Sequence, residues 1–308
     1  MAALIKRDLL SLTELSSTEV QEILQLATKL KSQDLDLRCN KILGLLFSKA
    51  STRTRVSFTV AMYQLGGRVI DLNPNVTQVS RGELVQDTAR VLDRYLDILA
   101  IRTFAQDELE TFAKYAQIPV INALTDKEHP CQILADLMTI QEHFGKFTDL
   151  TLTYVGDGNN IANSLMLGCS LVGMNIRITT PRGYEPDEVF VEKAKVIAND
   201  KAQISIIQDP KVAIQGANII YTDVWTSMGQ ENQAKERNSV FQPYQINTQL
   251  LTLADKDAVV LHCLPAHRGE EITDEVIEAS QSLVWEQAEN RMHVQKALLA
   301  SILGLENS

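Results

Sequence analysis

The chain has 308 residues, which at roughly 150 residues per domain sets an expectation of about two domains, each with its own core. With 39 acidic against 29 basic side chains its formal charge is −10, so the average surface repels nucleic acids and anionic membranes. Four widely spaced cysteines, Cys39, Cys131, Cys169 and Cys263, include no C-x-x-C pair and argue against both a disulfide framework and a zinc ribbon. No apolar run approaches the roughly 18 residues of a membrane span, and Met1 to Leu12 lacks a signal-peptide apolar core. A cytoplasmic protein is the expectation.

Ser16 and Glu19 form a capping-box pattern ahead of Val20, Ile23, Leu24, Ala27 and Leu30, which recur at helical spacing. Apolar runs of strand length then alternate with helical patterns at Ile42 to Phe47, Val69 to Leu72, Ile98 to Ile101 and Val120 to Asn122. That alternation predicts a parallel α/β sheet. A long helix is expected from Pro130, whose fixed φ suits a first helical position, to near Gly145. A second series follows at Thr151 to Val155, Ile176 to Thr179, Ile204 to Ile207, Ile219 to Tyr221 and Val259 to His262, so two α/β domains are expected to meet near residues 140 to 150. Ser227 to Phe241 is polar and without periodicity, and is expected to be a loop. A helix from Ala288 to Leu303 is expected to return to the first domain.

Several strand ends carry residues suited to chemistry. Ser51-Thr52-Arg53-Thr54-Arg55 lies between a strand and a helix, where free backbone N–H groups, the helix dipole, hydroxyls and guanidiniums suit a small phosphate. The plain alternative is a helix cap with solvated arginines, but two arginines where the dipole repels them favour an anion ligand. His129-Pro130-Cys131-Gln132 opens the long helix and is either a simple cap or a grip on a carbonyl or amide. Gly156-Asp157-Gly158-Asn159-Asn160 has Ile161 where a dinucleotide fingerprint would have its third glycine, which weakens a nicotinamide reading and leaves a tight turn from which Asn160 offers an amide. Asp223 and Ser227, after another strand, suit the two ends of a zwitterionic amino acid. His262-Cys263-Leu264-Pro265 follows the last strong strand, with Cys263 either a buried apolar residue or a reactive one. No four-ligand metal spacing occurs.

Together these segments resemble the transcarbamoylases, and among them the ornithine branch, from about Leu46 to Met292. Ser51 to Arg55 is similar to the carbamoyl-phosphate signature of the superfamily and His129 to Gln132 to its H-P-x-Q element. Ser227-Met228-Gly229 is similar to the S-M-G loop and His262 to Pro265 to the H-C-L-P element of the ornithine branch. The resemblance implies two doubly wound domains, each a central parallel sheet flanked by helices, with the active site in the cleft between them. Residues 1–145, joined by a terminal helix at 288–308, would bind carbamoyl phosphate and residues 146–287 ornithine. Carbamoyl phosphate would rest on Ser51, Thr52, Arg53, Thr54, Gln78, Arg102, His129 and Gln132, completed by Cys263, Leu264 and Arg291. Ornithine would rest on Asn160, Asp223, Ser227 and Met228. Arg102, His129, Cys263 and Asp223 would carry the catalytic roles, with no metal or cofactor. The resemblance also implies a homotrimer or a multiple of trimers, in which the loop bearing Gln78 serves a neighbouring subunit. Thr59, Thr103 and Ala123 depart from residues common in the family at those places; none is an expected ligand.

Overall fold

A computed structural model describes residues 4–33, 37–73, 82–227, 229 and 231–305. It divides into two compact units, Met1–Met138 with Asn290–Ser308, and Thr139–Glu289. Among the described residues no helix is long and apolar enough to cross a membrane.

The first unit opens with α1 (Ser17–Ser32), whose capping box is complete: the Ser16 hydroxyl accepts from the Glu19 N–H, and the Glu19 carboxylate accepts from the Ser16 N–H at 2.7 Å. There follow β1 (Ile42–Phe47), α2 (Thr52–Gln64), β2 (Arg68–Leu72), α3 (Val85–Leu92), β3 (Ile98–Arg102), α4 (Gln106–Tyr115), β4 (Val120–Leu124) and α5 (Pro130–Phe144). The four strands are parallel in the order β2-β1-β3-β4. Inner strands β1 and β3 are almost continuously apolar and buried, as strands covered on both faces must be, whereas edge strand β2 exposes Arg68, Ile70 and Asp71. Leu9 adds a bridge beside Ile121 on β4.

The second unit contains β5 (Thr151–Val155), α6 (Asn160–Val172), β6 (Asn175–Thr179), α7 (Glu188–Ala198), β7 (Ile204–Ile206), α8 (Pro210–Ala213), β8 (Ile219–Thr222), α9 (Ala234–Phe241), α10 (Thr248–Leu251), β9 (Val259–His262) and α11 (Asp274–Ile277). Its five strands are parallel in the order β7-β6-β5-β8-β9. Helix α12 (Val284–Leu303) starts four residues before the expected Ala288 and carries the chain back to the first unit. Both sheets are open and doubly wound, so each has a point where the strand order reverses, and ligands of such sheets bind outside the carboxyl ends of the strands at that point. In the first unit it lies between β1 and β3, and in the second between β5 and β8.

The stretch from Ser227 to Phe241 departs from the expected loop. It contains a short 3-10 turn at Glu231–Gln233 and then helix α9. The residues of α9 buried in the fold are Arg237 and Phe241, one turn apart. One of the two inward positions is a cation, so the apolar periodicity that announces a helix is missing.

Candidate active site

At the first reversal point the register sets Phe47 of β1 beside Arg102 of β3. Ser51 caps α2 in extended conformation without spending its hydroxyl on the helix, and Arg102 Nη1 donates to Ser51 Oγ at 3.3 Å. Uncapped first-turn N–H groups beside a guanidinium form an anion site. Arg291, buried on α12, donates a short hydrogen bond to the Thr54 hydroxyl. His129 and Gln132 are buried at the start of α5. Burial pushes the His129 imidazole well below 6.5, helped by the charges of Arg291 and Arg102, so the ring is neutral. Gln132 Nε2 donates to Asp136 Oδ1 at 2.8 Å one helical turn on. That bond orients the amide and leaves Oε1 a buried acceptor with no partner among the described residues. Between these two, burial holds the Cys131 thiol up at about 12, which makes it an inert core residue.

Lys49, at the end of the same β1 turn, is buried. Its ammonium lies 4.1 Å from the centre of the Phe104 ring and pairs with Asp126 through a short ion pair. One cation thus joins the loops that follow β1, β3 and β4, each of which bears or precedes predicted ligands.

At the second reversal point Gly156 to Asn159 leads into α6. Gly158 approaches the backbone of Tyr184 to Pro186 so closely that a Cβ there would collide with it, so this second glycine serves close packing. Asn159 caps α6, its Oδ1 accepting from the N–H groups of Ile161 and Ala162 at 2.9 and 3.3 Å, while Nδ2 donates to Asp223 Oδ2 at 2.9 Å. The other oxygen, Asp223 Oδ1, accepts from the Cys263 thiol at 3.0 Å. His262 is fixed on both nitrogens: Leu264 N–H donates to Nδ1 at 2.8 Å, and Nε2 is 3.0 Å from the buried carboxylate of Glu271. Because Nδ1 accepts, the ring proton sits on Nε2 and is given to Glu271. Leu264 holds a left-handed φ of 57°, uncommon for a branched residue and typical of a functional turn. Burial, followed by the charges of Asp223, Asp157, Cys263 and Glu271, drives the Tyr154 hydroxyl well above 10. Carboxylates gather around this tyrosine, whereas arginines gather in the first unit.

Donor atoms of Asp223, His262 and Cys263 lie within 4.8 Å of one another, as do those of His267, Glu270 and Glu271. Both nitrogens of His262 are already engaged, which leaves no lone pair for a metal in the first group.

Of the residues expected from the sequence, Ser51, Thr52, Arg53, Thr54, Arg102, His129, Gln132 and Arg291 fall in the first unit; Asn160, Asp223, Ser227, Cys263 and Leu264 fall in the second. Gln78 and Met228 lie outside the described residues. Arg55, grouped by sequence with Arg53, is paired with Asp71 of β2 and stacked over Phe47. Asn159, Glu271, Lys49 and Asp136 escaped the sequence reading. Asn159 was visible in the Gly-Asp-Gly-Asn-Asn turn, but only the helix start decides which asparagine caps and faces Asp223. Glu271 is one of many acidic residues until the fold sets it against His262.

Residues 7–142 match the family model described as the carbamoyl-P binding domain of aspartate/ornithine carbamoyltransferase, and residues 148–302 match that of its Asp/Orn binding domain. The chain is 75% identical over 306 residues to the ornithine carbamoyltransferase of Nostoc punctiforme, covering 99% of this chain and 100% of that one. The solved ornithine carbamoyltransferase of Pyrococcus furiosus superposes with a TM-score of 0.94 at 47% identity, covering 98% of both chains. That of Gloeobacter violaceus does so at 0.88 and 56%, covering 97% of this chain and 99% of the other. With both family domains matched in order and relatives this similar along its whole length, the chain belongs to the aspartate/ornithine carbamoyltransferase family.

Proposed function

We propose that the chain transfers the carbamoyl group of carbamoyl phosphate to the δ-amine of L-ornithine, giving L-citrulline and phosphate. The observation that carries the acceptor is the Asp223–Cys263 pair at 3.0 Å, a carboxylate and a thiol together, which is a setting for a cationic amine. Aspartate brings no second amine to Asp223, and putrescine brings no carboxylate to Ser227.

Residues 1–145 with 288–308 are assigned to carbamoyl phosphate and 146–287 to ornithine. Ser51, Thr52 and Arg53 hold the phosphate at the start of α2; Thr54, Arg102 and His129 meet the carbonyl oxygen. Gln132 Oε1, a buried acceptor, suits the carbamoyl NH2. The amine nitrogen bonds to the carbonyl carbon, charge gathers on the oxygen of the tetrahedral intermediate, and the C–O bond breaks with its electron pair leaving on phosphate. Donors aimed at that oxygen stabilise the barrier state more than the ground state. Presenting an amine of lysine-like pKa near 10.4 in its neutral form at pH 7 costs about 5 kcal/mol. Cys263 and Asp223 orient it, and its proton passes to Sγ as the thiol proton moves to Asp223 Oδ1, which ends up holding it.

A homotrimer is proposed on the ground that α2 and edge strand β2, beside the phosphate motif, expose Val56, Tyr63 and Ile70, with Gln78 given to a neighbour's site. Mixing R53A and Q78A proteins after subunit dissociation tests it: hybrids that regain activity support a shared site, and hybrids that form without activity refute it. A cytoplasmic setting is proposed from the four free thiols. A colorimetric citrulline assay with ornithine, putrescine and aspartate as acceptors tests the substrate. Failure of ornithine with success of another acceptor overturns it.

A further inference from the structure

Gln132 and Asp136 stand one turn apart on the same face of α5, and both are fully buried. The backbone beneath Gln132 is fixed independently of that pair. Its N–H and that of Ile133 donate to the His129 carbonyl at 3.1 and 3.3 Å. The Cys131 thiol donates to the Asn122 carbonyl at 3.5 Å, which ties the first turn of α5 to β4. One freedom is left to the Gln132 side chain, because an amide keeps nearly the same shape when its oxygen and nitrogen exchange places.

Asp136 decides between those two states. A carboxylate offers acceptors only, so the bond of 2.8 Å to Asp136 Oδ1 comes from the Gln132 NH2 group, and Oε1 is turned the other way. An asparagine, serine or threonine at 136 could donate as well as accept, and would tolerate either state. Because Oε1 is buried with no partner among the described residues, the ligand group that suits it is a donor. An acceptor there would set two buried lone pairs against each other. A buried carboxylate is a costly way to stabilise a helical turn alone, since an apolar residue at 136 would avoid its desolvation.

We infer that Asp136 is a positioning residue that sets the specificity of the phosphate half-site. By holding the Gln132 amide in one sense, it makes the site prefer an NH2 group to an oxygen on the carbon that bears the phosphate. The inference rests on the carbamoyl phosphate assignment above and adds what the site turns away: a donor substrate of the same shape whose outer atom is an acceptor.

The test is isothermal titration of the full chain with phosphonoacetamide and phosphonoacetate, two stable analogues that differ in an NH2 group against a carboxylate oxygen. The wild-type chain is expected to bind the amide about tenfold or more tightly, the scale of a buried acceptor left unpaired; equal affinities overturn the inference without any variant. D136N keeps the shape but lets the Gln132 amide turn and donate to the carboxylate. It is expected to bind phosphonoacetate more tightly and to lower the preference by about tenfold, a gain that loosened packing does not produce. An unchanged preference in D136N overturns the positioning role. Because D136N also removes a negative charge, the same change is made in a Q132L background, where the shift should vanish. A shift of equal size there shows the charge acting directly and overturns the role through Gln132. If Q132L keeps the wild-type affinity for phosphonoacetamide, the assignment of Gln132 to carbamoyl phosphate falls with the inference; if Q132L weakens binding and D136N leaves the preference unchanged, only the role of Asp136 falls.

Discussion

Cys263 donates its thiol proton to Asp223 Oδ1 at 3.0 Å while Asn159 holds Oδ2 at 2.9 Å. The carboxylate is thereby held on both oxygens, one of them by a thiol. Replacing the thiol by a hydroxyl keeps a donor but makes it a far weaker acid. C263S is expected to lower turnover by about 100-fold, the low end of the range for a lost acid–base group, and to shift the alkaline side of the kcat profile. A pH-rate profile unchanged in C263S removes the cysteine from proton transfer.

Gln132 offers a test that separates ligand from scaffold. Its Nε2 is bonded to Asp136 and its Oε1 is buried without a partner among the described residues, so the acceptor costs the free enzyme stability that the proposed contact with the carbamoyl NH2 would recover. Q132E sets a second carboxylate beside Asp136. The carbamoyl phosphate KM should rise by about tenfold or more, the scale of one buried bond to a charged or polar partner, and the ornithine KM should stay close to wild type. Isothermal titration with carbamoyl phosphate measures the first directly; equal affinities in the two proteins would contradict the assigned contact.

His129 should leave a signature in stability. Burial first, then Arg291 and Arg102, hold its folded pKa well below 6.5. A depressed value means that the unfolded chain takes up a proton that the folded chain refuses. The stability linked to the neutral ring is therefore present above pH 6.5 and is lost as pH falls from there toward the folded value. H129N, which cannot titrate, should lose less stability than wild type between pH 7 and 5 in urea melts. Parallel curves for the two proteins would show that the ring is not held neutral.

Lys49 joins three loops of the proposed phosphate half-site through Phe104 and Asp126. The Asp126 side chain is 58% exposed and Phe104 is 45% exposed, so each contact is a small term, and a change that removes both costs more than one that removes the ion pair alone. K49M keeps the stem and loses the charge, and should raise the carbamoyl phosphate KM by about three- to tenfold, as a loss near 1 kcal/mol does. D126N should have a smaller effect. A D126N effect equal to or above that of K49M would place the weight on the ion pair instead.

The strand series was readable because inner parallel strands are covered on both faces and must be apolar almost throughout, as in Ile42 to Phe47. The capping box at Ser16 was equally local, since both of its bonds lie within four residues. Helix α9 was not readable, because its inward face is built from Arg237 as well as Phe241, and an arginine is buried only where distant partners satisfy it. The motif residues Ser51 to Thr54, His129, Gln132, Asp223 and Cys263 stood out because each follows a strand end, where this architecture binds ligands.

By itself the sequence determined the alternation of strands and helices, the points where the chain turns over each sheet, and the residue types placed there, all of which depend on neighbours a few positions apart. Tertiary structure alone decided which of those residues meet: Arg291 with Thr54 across 237 positions, Cys263 with Asp223 across 40, and Arg237 with Asp157. Hydrogen bonds and buried charges act over a few ångströms in space, and sequence separation holds no record of that distance until the sheets are formed.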